Sequence, residues 1–159
     1  MNSIKKCKIR CTYLLVALIV IPLFSLARGK TSFVKEEIGV NFLDISYQEA
    51  LNKAKSENKL IFIDCYTSWC GPCKLMMNTV FKDEKVATFM NDQFINLKLN
   101  MEEEGDGQMI YSNYKIISFP TYLILDSKGT IINRFEGSSD SIAFMEKIKK
   151  TIESHPKTT

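Results

Sequence analysis

The octapeptide TSWCGPCK, Thr67 to Lys74, carries two of the chain's five cysteines, with only Gly71 and Pro72 between them. Thiols at that spacing serve as half of a metal site, as a small staple, or as a redox couple that cycles. The flanking sequence bears directly on the choice.

Immediately before it runs KLIFIDCY, Lys59 to Tyr66, a nearly continuous apolar stretch rich in isoleucine and aromatics. That composition suits a central strand covered on both faces. After it, a helix is expected from about Cys73 to Val80, with a break near Lys82. Strand, short loop and helix put Cys70 at an exposed helix N-terminus, where free N–H groups and the helix dipole stabilise a thiolate. Pro72 in the first turn has its φ preset and gives up no needed donor. Cys73, one turn further in, is expected to be more buried and to react only once Cys70 is held in a mixed disulfide. As a staple the pair is weak, because closing so short a loop stabilises by roughly 2 kcal/mol. A redox couple beside a β-α-β pattern fits the surroundings better.

Further out, Ser46 and Glu49 form a capping box that opens a helix from about Tyr47 to Glu57, with Ala50, Leu51 and Ala54 on its buried side. Asp83 can cap a helix carrying Val86, Phe89 and Met90, and FINLKLN (Phe94–Asn100) reads as the next strand. The acidic EEEGDG stretch, Glu102 to Gly107, reads as a solvated turn before a helical segment, Gln108 to Tyr114. TYLILD and TIINRF, joined by Ser127-Lys128-Gly129, form a β-hairpin that Gly137 ends. Ser138 or Ser139 is expected to cap a last helix whose buried stripe is Ile142, Met145, Ile148 and Ile152. With a weak first strand at Val40–Leu43, the order is β-α-β-α-β-α-β-β-α. Crossover helices imply parallel pairing early and the hairpin adds antiparallel strands. The expected fold class is α/β: a central mixed β-sheet flanked by helices on both faces.

The N-terminus is different in kind. Lys5, Lys6, Lys8 and Arg10 precede an apolar run from Tyr13 to Leu26. A positive region, an apolar run and small residues at Ser25 and Ala27 are the order of a secretory signal, with cleavage after Ala27; Ala27 with Gly29 is a second small-residue pair, and an uncleaved membrane anchor is the alternative. The run is about 14 residues, short of the roughly 20 that a spanning helix needs. The expected organisation is a signal peptide over 1–27, a polar lead-in over 28–39, a single domain over 40–155 and a tail over 156–159. Removing the signal takes four of 21 basic residues, leaving 17 against 18 acidic ones. That balance excludes the clustered basic excess of a nucleic-acid binder. Cys7 and Cys11 leave with the signal, so Cys65 and His155 alone remain to complete a zinc site with the pair. Cys65 sits on the preceding strand and His155 at the far end of the chain, so no metal is expected.

Asp64 is the other anomaly, a carboxylate in an apolar strand six residues before Cys70. Such a group is costly to ionise and normally raises its pKa instead. Cys65, its neighbour, points to the opposite face and reads as a small core hydrophobe. Trp69, the one tryptophan, stands beside the nucleophile and is expected to shape a docking surface.

WCGPCK (Trp69–Lys74) is the active-site motif of the thioredoxins, and the chain resembles that family from about Val40 to His155. Four further matches fall in order: Asp64, Lys98 in KLN, SFPT (Ser118–Thr121) and Gly137. The stretches ALNKAKSENKLIFID and CKLMMNTVFKDEKV look like the thioredoxin-like domains of periplasmic interchange proteins of the DsbD type. Two positions depart from the cytosolic pattern: Asn78 replaces a helix-kinking proline, and Phe119 replaces the usual isoleucine before the proline. The resemblance implies a thioredoxin fold and a redox-active Cys70–Cys73 disulfide. It implies a buried Asp64 that takes the proton of Cys73 through a water, with Lys98 as its neighbour. It also implies a cis Pro120 facing the disulfide, and a substrate groove formed by Trp69, Phe119, Pro120, Thr121 and Gly137. Gly71-Pro72 between the cysteines places the pair at the reducing end of such couples. No flavin or nucleotide site is visible, so no cofactor is expected. The expected protein is an exported, periplasmic monomer acting on disulfide-bearing exported proteins, with electrons from a membrane-embedded thiol donor. The alternatives are a thioredoxin-fold binding module, or an oxidase or isomerase of disulfides.

Overall fold

The apolar run before the cysteines forms β1, Leu60–Tyr66, with six of its seven residues buried. On one side it pairs in parallel with β2, Phe94–Asn100; on the other it pairs antiparallel with β3, Thr121–Leu125. The outer strand β4, Ile131–Glu136, pairs antiparallel with β3, so the sheet order is β2-β1-β3-β4. The computed structural model describes residues 38–155. The expected signal peptide, the lead-in as far as residue 37 and the tail over 156–159 lie outside the described residues.

Five α-helices accompany the described strands: α1 (Tyr47–Glu57), α2 (Gly71–Asn78), α3 (Glu84–Gln93), α4 (Asp106–Asn113) and α5 (Ser141–Ser154). None is long and apolar enough to cross a membrane. The Ser46–Glu49 capping box starts α1, and Asn58 in the left-handed region (φ 51°) ends it. Asp83 caps α3 by accepting from the backbone of Lys85 and Val86. The β3–β4 turn is held by Asp126, which accepts from the N–H of Lys128 and of Thr130 at 2.8 Å each.

Alternation along the strands builds two cores, one on each face of the sheet. On one face Phe62, Phe81, Tyr122 and Phe144 pack with Met76 of α2 and with Val86 and Met90 of α3. Phe62 stacks on Tyr122 at 5.6 Å and meets Phe81 and Phe144 edge-on at 6.1 and 6.0 Å. Each such pair adds about 0.5–1.5 kcal/mol beyond area burial. On the other face Ile61, Ile63, Cys65, Leu97 and Leu123 pack against Ala50 and Ala54 of α1 and Ile110 of α4. Helices therefore cover both faces of a mixed sheet, the thioredoxin-like arrangement.

Four local expectations are corrected. The first strand is a single bridge, Phe42 to Asn96, because Val40 gives its N–H to Phe81 and Asn41 gives its own to the Asn91 side chain. The last helix is capped by Asp140, whose carboxylate accepts from Ala143 N at 2.8 Å; neither Ser138 nor Ser139 does so. Its buried stripe is Phe144, Ile148 and Thr151, and Ile142 is 75% exposed. The helix after the cysteines begins at Gly71, two residues earlier than expected, and a 3-10 turn at Val80–Lys82 supplies the break.

Candidate active site

The strand β1 ends at Tyr66, and the loop Thr67–Trp69 turns the chain into α2. Cys70 is the N-cap of that helix: its N–H bonds Thr67 O at 3.2 Å, and its Sγ accepts from Cys73 N at 3.1 Å. Cys70 and Cys73 are joined by a disulfide, their Cα atoms 5.3 Å apart. Both are only 2% exposed. The expectation of an exposed Cys70 above a buried Cys73 is thus corrected for the oxidised state. The N-cap side chain folds back over the first turn, towards its own helix, instead of pointing out. Gly71 and Pro72 fill the first turn, and a Cβ placed on Gly71 would meet no atom within 4 Å. Nothing within the described chain requires a glycine there.

Asp64 lies on the same face of β1 as Phe62. It is 1% exposed, and neither carboxylate oxygen has a hydrogen-bond partner among the described residues. Burial pushes its carboxyl up to about 7, opposed by the positive charge of Lys98. Lys98 is the direct register partner of Asp64 on β2. Its ammonium stands 4.3 Å over the Tyr66 ring, and the described residues contain no Asp64–Lys98 ion pair. A cavity of about 160 Å³ opens on this face, lined by Cys73, Lys98, Tyr66, Thr67, Met77 and Asn78 among others. Thr67 Oγ1, like the Asp64 oxygens, is buried without a partner. Thr67 and Cys73 both line the cavity, and an unpaired polar group at a cavity of this size is where a protein holds water.

On the other side of the disulfide sequence, Trp69 is 68% exposed and meets the edge of Phe119 at 5.8 Å. The Phe119–Pro120 bond is cis. Pro120 O accepts from Gly137 N at 2.9 Å, and Gly137 has φ 82°, a backbone that favours glycine. Thr121 is fully buried, and its hydroxyl is spent on Ser118 O at 2.7 Å. Its side chain therefore holds the loop and faces no open groove. Cys65 is buried and free on the opposite face, where burial pushes its thiol well up. Among the described residues no group of three or more His, Cys, Asp or Glu side chains converges to hold a metal ion.

Two features at this rim were not legible in the sequence. Glu102, read as part of a solvated turn, accepts from Ser68 N at 2.6 Å. That bond, with help from Trp69, holds its carboxyl below the usual range. Glu136 accepts from the Ser118 hydroxyl and from Arg134. Glu102 meets a residue 34 positions away and Glu136 one 18 away, so no local pattern signals either.

The family model Thioredox_DsbH, described as a protein of unknown function, DUF255, matches residues 26–121. The chain belongs to this family. A solution structure of a proposed disulphide-isomerase from Bacteroides thetaiotaomicron is 40% identical, covering 76% of this chain and 98% of that one, with a TM-score of 0.67. The thiol:disulfide interchange protein DsbD of Pseudomonas fluorescens is 29% identical over 109 residues, and Thioredoxin-T of Drosophila melanogaster 36% over 94. Those matches take in 67% and 58% of this chain but only 18% and 55% of the two relatives. Family membership, the fold and the Cys70–Cys73 disulfide together make this a thioredoxin-like protein.

Proposed function

We propose that the protein is an exported reductant of protein disulfides, working through Cys70 and Cys73. The observation that carries this reading is a disulfide capping a helix over a sheet face that holds a buried, unpartnered carboxylate with its pKa near neutrality. In the reduced protein the Cys70 thiolate attacks one sulfur of a substrate disulfide. A Cys70–substrate disulfide forms and the other substrate sulfur leaves as a thiolate. Cys73 gives its proton to the Asp64 carboxylate, by way of a water, and attacks Cys70 Sγ. The second substrate thiolate leaves, and two electrons have passed from the Cys70–Cys73 dithiol to the substrate. Asp64, with a pKa of about 7, then passes the proton to the departing substrate thiolate or to solvent near neutral pH.

Trp69, Phe119, Pro120 and Gly137 form the groove for an extended substrate segment, and Thr121 and Lys98 act in support. The open space over Gly71 suits close approach of a partner's backbone. Reloading takes a second thiol protein, and an exported setting requires that donor to reach across the membrane. The basic N-terminus followed by an apolar run supports export, with the folded domain beginning near residue 40. A disulfide isomerase is the second reading, favoured by the Bacteroides relative.

Reduction of insulin by the purified protein with a thiol reductant tests the activity. Turnover that vanishes in Cys70→Ser is expected. Wild-type protein no faster than the reductant alone would overturn the proposal. N-terminal sequencing of the protein recovered from the exported fraction tests the boundary, with Arg28 expected as the first residue.

A further inference from the structure

We propose that Arg134 and Glu136 are positioning residues that fix the substrate-facing loop before Pro120; this rests on the reading of Phe119 and Pro120 as substrate contacts. The loop joins α4 to β3 and has three ties of its own, Ile116 N to Tyr111 O, Thr121 Oγ1 to Ser118 O and Gly137 N to Pro120 O. None of these fixes the Ser118 side chain to β4. The Ser118 hydroxyl makes that link by donating to Glu136 Oε2. The other oxygen, Oε1, takes Arg134 Nη2 at 2.7 Å and Nε at 3.1 Å. The third guanidinium nitrogen, Nη1, donates to Tyr114 O at 2.9 Å and Lys115 O at 3.2 Å.

One guanidinium therefore ties β4 to the carbonyls that follow α4, and, through Glu136, to Ser118. All three of its nitrogens are used, and both oxygens of the carboxylate have a separate donor. The planar fork is what permits this; a lysine ammonium cannot reproduce it. Glu136 stands opposite Thr121 across β3–β4 and one residue before Gly137. The clamp thus flanks the point where Pro120 meets the hairpin. Outside the clamp, Ile117 is 84% exposed and Phe119 leans on Trp69. Beneath the loop Ile116 is buried in the core and Phe119 packs partly against it, while the polar clamp holds Ser118. A solvent-exposed ion pair adds little to stability, so a network this complete is explained better by what it positions.

The test compares Glu136→Ala, Ser118→Ala and the double variant, with Glu136→Gln as the conservative one. Exchange is measured with a protein disulfide and with a small aromatic disulfide that needs no groove. Each alanine variant should lower kcat/KM for the protein disulfide on the order of tenfold, mainly through KM, and lower the ratio to the small disulfide similarly. The double variant should be no worse than either single one, and Glu136→Gln should recover much of the loss. Equal losses with both substrates, or additive losses in the double variant, would overturn the clamp. If Glu136→Ala does not fold, Ser118→Ala removes the same bond from the loop side and decides the matter.

Amide hydrogen exchange of the oxidised protein separates this from the failure of the proposed reduction. Residues 115–119 should exchange several-fold faster in the alanine variants, with α5 unchanged. Unaltered exchange there would overturn the clamp whatever the activity does. Faster exchange in a protein that reduces nothing would keep the clamp and remove the reductant.

Discussion

Asp64 inside the sheet and the carboxylates Glu102 and Glu136 at the rim are treated in opposite ways. Asp64 is buried with no donor, and its carboxyl is pushed up to about 7. Glu102 and Glu136 are exposed, are met by backbone, hydroxyl and guanidinium donors, and are held below the usual carboxylate range. A carboxylate denied partners is one that can take and release a proton near neutrality. A carboxylate supplied with donors stays charged and serves as an anchor. The same functional group thus moves protons in the interior and holds loops at the surface.

The sharpest way to break this contrast is through Cys73. In Cys73→Ser turnover should stop, and a mixed disulfide removable by dithiothreitol should accumulate on Cys70, read on non-reducing gels. In that background Asp64→Asn should leave the first attack unchanged, because the proton it handles has gone. Slowing of that attack by Asp64→Asn would erase the division of labour.

Asp64→Asn alone should slow reduction by about 10²–10⁴, with the loss greatest above pH 7 where the wild-type carboxylate is ionised. Turnover unchanged across pH 6 to 9 would make Asp64 structural. The same variant sharpens the comparison through stability. The folded pKa of Asp64 stands above its unfolded value of 3.8, so the folded state holds a proton that the unfolded state releases. Its contribution is fully present below about pH 4 and is lost as pH rises through about 7. Asp64→Asn should therefore gain on wild type with rising pH, by up to about 4 kcal/mol once pH passes 7. Denaturant titrations at pH 4 and pH 8 measure it, and a constant difference would contradict it.

Glu102→Gln should have a smaller effect, a rise in KM for protein disulfides of at most about tenfold with kcat kept. Its neutral amide still offers an oxygen to Ser68 N. A loss in kcat as large as that of Asp64→Asn would put Glu102 among the proton-handling groups.

What sequence could and could not reveal follows the same division. KLIFIDCY, the capping box at Ser46 and the hairpin turn are local patterns, and β1, α1 and the β3–β4 turn formed where those patterns put them. Asp64 stood out because a charge in an apolar strand is anomalous within a few residues. The phase of α5 was misread because Ile142 is apolar yet 75% exposed, while Phe144 turns into the aromatic core built by Phe62 and Tyr122. Asp140 displaced the serines as cap because a carboxylate one residue later reaches Ala143 N. The rim carboxylates gave no signal, since acidic residues in a loop look solvated until the fold brings distant donors to them.

The central claim is that the pair gives electrons away. Equilibrating the protein with defined ratios of reduced and oxidised glutathione, and quantifying the Cys70–Cys73 dithiol by alkylation, measures its reduction potential. Gly71-Pro72 predicts a value near the thioredoxin potential of about −270 mV. A value near −120 mV, that of a strong oxidant, would contradict the account and make the protein a donor of disulfides.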